Sequence, residues 1–394
     1  VRYNEKGINK KEEYTMSLLG ISLYPHLQSE AVMKQQLDLA VTLGYSQVYT
    51  TVQSPQAWSA PNQLKAPFQW LISECRKMGL TLHVDINRRI MDQLHAEPND
   101  LSPFVHLGIR IVRLDFGFEE DHELVAQMTC NEDGVLIEDN ASMQAEPINR
   151  IKAIQRHGNL ENYVAVHNFF PHPDTGMSFI DTYKNAKLFK ACGIRTGVFI
   201  NSLDADNLLF AYGHGLCTVE NHRYKPAYLS AGELTATGMF NYIFFGDGNP
   251  SRTEMEQVQE IVHNHCVYVP VYFNSSLDTD LRQKLLNIVL KSRSDQPEFI
   301  LRATQTRGLG SVCVQPVSDR DKLCITLDNE LSGKYEGELQ IALKSMPGVE
   351  YTNVIGQVDM LAENLISLIR YGKVAFRLVE AEKIQNATVA QHEN

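Results

Sequence analysis

Carboxylates close several of the apolar runs in this chain, a placement suited to acid–base chemistry. Asp115 follows Ile111-Val-Arg-Leu, Glu138 follows Val135-Leu-Ile, and Glu220 follows Cys217-Thr-Val. An acid held at the end of a strand is rigid, and a pair of them is the usual equipment of glycoside hydrolysis, one giving a proton and the other meeting positive charge. Gly117 lets the backbone turn away just past Asp115. Period-2 alternation sets Glu138 and Asn140 on one face of their strand and Asp139 on the other. Each acid also has a structural alternative: Arg113 as an ion-pair partner for Asp115 or Glu138, and Arg223 for Glu220.

Other polar residues end similar runs: Tyr24, Thr51, Asp85, His167 and Asn201. The stretch His167-Asn-Phe-Phe-Pro-His-Pro-Asp-Thr-Gly176 mixes imidazole, amide, hydroxyl and aromatic groups, which suits a sugar's hydroxyls and apolar face. It adds Asn168 and Thr175 to the substrate-binding candidates. Arg223 offers a planar guanidinium for an anion, and Arg302 and Arg307, separated by Ala-Thr-Gln-Thr, offer two more for a phosphate. No GxGxxG or GxxxxGK[ST] loop and no GxSxG elbow is present. No lysine ends a predicted strand, which argues against Schiff-base chemistry. Carboxylate chemistry remains, with or without a metal; the leading reading expects no cofactor and no metal.

The elements that must position these groups alternate. β-rich runs at Leu19–Pro25, Gln47–Val52, Thr81–Asp85, Arg110–Asp115, Gly134–Asn140, Tyr163–Asn168, Arg195–Asn201 and Leu216–Glu220 are separated by helical patterns, among them Glu30–Leu43, Pro67–Met78, Phe179–Ala191 and Asp204–Tyr212. Eight strands alternating with helices predict an α/β fold, a (β/α)8 barrel whose site lies at the strands' C-terminal ends. Taking Leu216–Glu220 as the eighth strand places Glu220 beside Tyr24. The turn-rich Phe245-Gly-Asp-Gly-Asn-Pro-Ser251 reads as the end of the barrel. The expected organisation is an extension over 1–15, a barrel over 16–250, a connecting helix over 251–266, a small β-rich domain over 267–380 and a polar tail over 381–394. Strands are expected in that second domain at Val267–Phe273, Val312–Pro316, Lys322–Leu327 and Gly337–Leu343.

A chain of 394 residues fits two domains. Its net charge of −11 argues against nucleic acid or an anionic membrane as a partner. Seven scattered cysteines without CxxC spacing read as thiols of a reducing compartment. No apolar run is long enough to span a bilayer, and the polar first fifteen residues read as an extension without a secretory signal. Nothing in the sequence indicates a subunit number.

The strand-end motifs together are similar to those of the MupG-like 6-phospho-N-acetylmuramidase family. They are Gly20-Ile-Ser-Leu-Tyr-Pro25, Leu114-Asp-Phe-Gly-Phe118, Glu138 with Asn140-Ala-Ser142, His167-Asn-Phe with Thr175-Gly176, and Thr218-Val-Glu-Asn-His-Arg223. In the second domain they are Thr304-Gln-Thr-Arg307 and the stretch from Asp328 to Leu343. The resemblance implies a TIM barrel followed by a cyclophilin-like β domain. It also implies a cytoplasmic glycosidase whose partner is a small phosphorylated amino sugar, the 6-phosphorylated disaccharide of N-acetylmuramic acid and N-acetylglucosamine met in cell-wall recycling. In place of the family's short Ser-Pro turn, Asp85 is followed here by Ile-Asn-Arg-Arg89. Two other readings stand beside it. One is a metal-dependent sugar isomerase or epimerase using Asp85, Glu138, His167 and Glu220 as ligands. The other is a non-catalytic sugar-phosphate sensor.

Overall fold

The computed structural model describes residues 16–142, 147–205, 207–210 and 214–381. The extension 1–15 and the tail from 382 onward lie outside them. Eight parallel strands close a barrel in sequence order: β1 (Leu18–Ser22), β2 (Gln47–Thr51), β3 (Thr81–Ile86), β4 (Ile111–Leu114), β5 (Leu136–Asn140), β6 (Tyr163–Val166), β7 (Arg195–Ile200) and β8 (Tyr242–Phe245). Alternation within each strand sorts side chains into two layers. Ile21, Val48, Val84, Val112, Ile137, Ala165, Val198 and Ile243 face the surrounding helices. Tyr49, Val164, Val166, Phe199, Tyr242 and Phe244 fill the interior beneath Tyr24. The barrel is therefore a packed core whose chemistry is confined to its rim.

The structure relocates the eighth strand. Leu216–Glu220 is extended but does not close the barrel; β8 does. Thr218 N–H donates to the Phe199 carbonyl oxygen (3.0 Å), and Met177 N–H to that of Thr218 (2.9 Å). The segment thus takes the edge of β7 that the shorter β6 leaves open, and Leu216 drops into the interior cluster. Its buried apolar run satisfies a strand pattern without any barrel register. Glu220 instead begins a single 3-10 turn, Glu220–His222. Tyr24, expected beside Glu220, donates its hydroxyl to the Gly246 carbonyl after β8 (2.6 Å). The turn-rich stretch read as the barrel's end is the loop following β8. A Cβ on Gly246 would run into the Leu216 carbonyl oxygen, so only glycine fits that crossing. No helix forms among the described residues of 204–212.

Helix α1 (Arg252–Asn264) follows β8 and is capped by Ser251 and Glu254 in a reciprocal box. Its Met255, Val258 and Val262 pack on the barrel, and its Ile261 on the second domain. That domain is a six-stranded sheet built from β9 (Cys266–Phe273), β10 (Ile300–Ala303), β11 (Cys324–Asp328), β12 (Leu339–Ala342), β13 (Thr352–Val358) and β14 (Ala375–Glu380), in the order β10-β12-β11-β13-β9-β14. The expected strand at Val312–Pro316 is irregular, while β10, β13 and β14 went unrecognised in the sequence. No helix among the described residues is long and apolar enough to cross a membrane.

The two domains meet on α2 (Ala227–Thr237), which is buried on nearly every side. Gly232 there faces Val267 and Leu365 of the second domain, so a small residue allows close approach. Glu233, fully buried, accepts from His222 Nε2 (3.0 Å), Lys225 Nζ (2.6 Å) and Asn364 Nδ2 of the second domain (2.7 Å). Burial alone would raise its pKa, but the His222 hydrogen bond and charge and the Lys225 charge hold it down at about 2, from an ordinary 4.5. A lowered carboxyl pKa stabilises the fold at any pH above the unfolded value, and that contribution is lost as pH falls through the folded value. Glu233→Gln should therefore destabilise the protein at neutral pH by roughly 3–5 kcal/mol, the usual cost of breaking a buried charge cluster. Urea unfolding of the two proteins should converge as the pH drops from about 4.5 toward 2.

Candidate active site

The C-terminal ends of β3 and β4 bring two carboxyl groups together. Asp85 and Asp115 both face the barrel axis, and one side-chain amide lies between them. Gln53, two residues past β2, donates Nε2–H to Asp85 Oδ2 (2.5 Å) and to Asp115 Oδ2 (2.9 Å). Those two oxygens are separated by no more than the two hydrogen bonds laid end to end. The other oxygen of Asp115 accepts from Asn140 Nδ2 and Asn168 Nδ2, both at 3.2 Å. Asn87, which caps the helix after β3, donates to Gln53 Oε1 (3.1 Å).

Beneath this pair runs a buried chain of charge. Arg113 Nε lies 3.6 Å from Asp85 Oδ1, its Nη1 donates to Glu138 Oε1 (2.8 Å), and its Nη2 to Asn168 Oδ1. Glu138 is also bonded to His83, whose other ring nitrogen meets Gln47 Oε1 (2.9 Å). Burial works against the Glu138 charge, but His83 and Arg113 outweigh it and keep its pKa low. Asp85 is in the opposite position. Burial first, and the neighbouring Asp115 carboxylate second, lift it to about 7 from 3.8, against the pull of Arg113 and the Gln53 and Thr51 hydrogen bonds. One acid of the pair can therefore hold a proton near neutrality beside a second carboxyl group, which is how one site runs both halves of acid–base catalysis.

Tyr49, Phe169 and Phe199, in edge contact at 5.1–5.5 Å between ring centres, make an apolar wall beside the pair. Phe116, next to Asp115, is 70 % exposed at the rim. A partly open cavity of about 140 Å3 lined by Met16, Ser17, Lys190, Gly238 and His265 lies at the opposite end of the barrel, away from every group named here.

Two family models match the chain, the N-terminal part of 6-phospho-N-acetylmuramidase over residues 19–260 and the C-terminal part over residues 270–379. The chain belongs to the 6-phospho-N-acetylmuramidase family. It is accordingly a glycosidase. Among solved structures, an uncharacterized protein of B. cereus is 28% identical with a TM-score of 0.78, covering 93% of this chain and 100% of its own. A conserved protein of unknown function from Enterococcus faecalis is 21% identical with a TM-score of 0.67, covering 94% and 98%. No protein of curated function matches the chain.

For a glycosidase of this family, the candidate residues divide into those the fold gathers and those it does not. Asp85, Asp115, Asn140 and Asn168 converge. Glu138 lies one layer lower, fully buried and ion-paired, out of reach of a sugar. His167 faces outward, away from the axis, with Nδ1 on Ser142 Oγ (3.2 Å); burial, then the Arg113 charge, holds it at about 3, so it is a neutral imidazole. Asn201 is buried and spends its amide on the Arg223 and Lys225 carbonyl oxygens (3.2 and 2.8 Å). Tyr24 is a buried wall residue with its hydroxyl engaged. Thr175 is exposed and bonds the His172 carbonyl (2.6 Å).

Glu220 and Arg223 form a clasp. The carboxylate accepts Arg223 Nε and Nη2 (2.6 and 2.7 Å) and the backbone N–H of Asp174 and Gly176 (3.0 and 2.6 Å). Arg223 Nη1 donates to the carbonyls of Phe170 and Gly215 (2.8 and 2.6 Å). Both are consumed in tying the loops after β6 and β7 together. Arg302 and Arg307 both pair with the buried Glu338 over the Tyr335 ring, inside the second domain. Arg302 sits on β10, the outer edge of a sheet that meets the barrel through β9. The four residues of the metal-isomerase reading do not converge.

Gln53 and Asn87 are the site residues that strand-end reasoning passed over. Neither ends a strand, and an amide in a loop gives no sequence signal until the loop is folded back over the barrel. Asp247, after β8, is a further buried acid, lifted by burial to about 7 while accepting from Ser202 and Leu216 N–H (2.8 and 2.9 Å).

A raised carboxyl pKa reverses the linkage sign. Folded Asp85 binds its proton more tightly than the unfolded chain does, so stability falls as pH rises from about 4 through about 7. Asp85→Asn should raise the unfolding midpoint at pH 8, by a free energy of up to about 4 kcal/mol, with little change at pH 4. Thermal unfolding at the two pH values checks it. Glu138→Gln should destabilise at both, since it leaves His83 and Arg113 short of a buried partner.

Proposed function

We propose that this protein hydrolyses the glycosidic bond between 6-phosphorylated N-acetylmuramic acid and N-acetylglucosamine, in the cytoplasm, as part of cell-wall sugar recycling. The observation that carries the reading is the Asp85–Asp115 pair, bridged by one amide at the C-terminal mouth of the barrel. Asp85 is the proton donor to the leaving oxygen, and Asp115 is the second carboxylate. Held by one amide, their facing oxygens stand closer than the roughly 6.5–9.5 Å that inversion needs for an intervening water, which supports retention of configuration. Phe169, half-buried over the buried Tyr49 and Phe199 rings, suits the apolar face of a pyranose. Seven cysteines that are all free support a reducing compartment.

The phosphate needs a cation at the same mouth. Arg223, Arg302 and Arg307 are already paired. Arg89, exposed in the first turn after Asn87, forms no ion pair among the described residues, and we assign the 6-phosphate to it.

Incubation with the phosphorylated disaccharide, followed by mass spectrometry, should yield one phosphorylated and one neutral amino sugar. Asp85→Asn and Asp115→Asn should each lower kcat at least a hundredfold or so. Activity of the wild type should decline on the alkaline side with a midpoint near 7, as Asp85 loses its proton. Arg89→Ala should cost about tenfold in kcat/KM on the phosphorylated substrate and little on its dephosphorylated form, whereas Arg302→Ala should cost less than about twofold on either. Equal losses on both substrates would remove Arg89 from phosphate recognition.

A further inference from the structure

We infer that Gln53 holds the place of the substrate's 2-acetamido group in the free enzyme, and that the acetamido oxygen, rather than a protein carboxylate, attacks the anomeric carbon. This rests on the muramidase reading above and adds the identity of the nucleophile.

Three features point there. Among the described residues, the side chain that hydrogen-bonds both acids is an amide N–H donor, Nε2 of Gln53. Of these two bonds, the one to Asp115 is the bond that the single N–H of an N-acetyl group can take over, while the leaving oxygen takes the place at Asp85. Next, Asp115 is surrounded by amides. Asn140 and Asn168 occupy one oxygen and Gln53 the other. Such a carboxylate is oriented by the two asparagines, and the oxygen that Gln53 vacates is placed to accept an N–H. Finally, Asp85 is buried while Gln53 is half-exposed above it. A sugar that delivers its leaving oxygen to Asp85 must displace the Gln53 amide. Asn87, now bonded to Gln53 Oε1, is left with a free donor for the incoming ligand.

The step balances without any added reagent. The acetamido carbonyl oxygen forms a bond to C1 as the C1–O glycosidic bond breaks. The departing electron pair goes to the leaving oxygen, which takes the proton of Asp85. The acetamido N–H, acidified as the ring closes, gives its proton to Asp115, leaving a neutral oxazoline. Water then attacks C1 and loses a proton to Asp85, the C1–O bond of the oxazoline breaks, and Asp115 returns its proton to nitrogen. The net change is one glycoside and one water converted to two sugars, with retention at C1.

The test uses the full-length enzyme and aryl 6-phospho-glycosides whose N-acyl group runs from acetyl through mono-, di- and trifluoroacetyl. Fluorine weakens the carbonyl oxygen as a nucleophile, so kcat should fall by at least about tenfold across the series if that oxygen attacks. The thiazoline analogue of the 6-phosphorylated sugar should inhibit competitively, more tightly in Gln53→Ala, where nothing must be displaced, and more weakly in Asp115→Asn. A flat response to fluorination, or a 2-fluoro sugar trapped covalently on Asp115 by mass spectrometry, would overturn the inference while leaving the muramidase reading intact. Failure to cleave the parent N-acetyl compound would overturn that reading itself.

Discussion

The active centre depends on a single buried cation. Arg113 is sealed inside the barrel, where an unpaired charge would be prohibitively costly. Glu138 supplies the compensating charge from below and is itself fixed by His83. Burial opposes the Arg113 charge, and Glu138 and Asp85 outweigh it. With its lower side satisfied, the guanidinium orients Asn168 and faces Asp85 only at 3.6 Å. Asp85 therefore receives part of the benefit of a cation and all of the cost of burial, and the balance leaves it able to hold a proton near neutrality. A closer Arg113 would make Asp85 a permanent carboxylate, and a more distant one would leave the site without an ordered floor.

The rim is built differently, from loops stapled to one another. The β7–β8 connection lies along the exposed edge of β7 and is held by the Glu220–Arg223 clasp, which binds six backbone groups of two loops. His222 and Lys225 flank the clasp and lead to Glu233, where the second domain adds Asn364. The second domain thus supports the mouth through α2 without any of its arginines reaching the carboxyl pair.

Strand-end position alone proved an incomplete guide to role. Asp115 and Glu138 both end apolar runs and both face the axis, yet they lie at different heights. Two residues of register, one side-chain layer on the same face, separate a group at the mouth from one in the core. His167 ends its strand on the other face. Glu220 owes its strand-like context to a buried extended segment that is not a barrel strand.

Alternation of apolar runs with helices was enough to specify an eight-stranded barrel with its site at the C-terminal ends, because burial on both faces of a parallel sheet leaves a direct imprint on composition. The sequence motifs also sufficed to place the chain in its family. Register, depth and loop return came only from the tertiary structure. Whether a carboxylate pairs with Arg113 below or Gln53 above, whether an arginine meets a ligand or Glu338, and which extended run closes the barrel depend on contacts between residues distant in the chain. Local propensity carries no record of such partners, since the same side chain is compatible with either one until packing brings a single neighbour within hydrogen-bond distance.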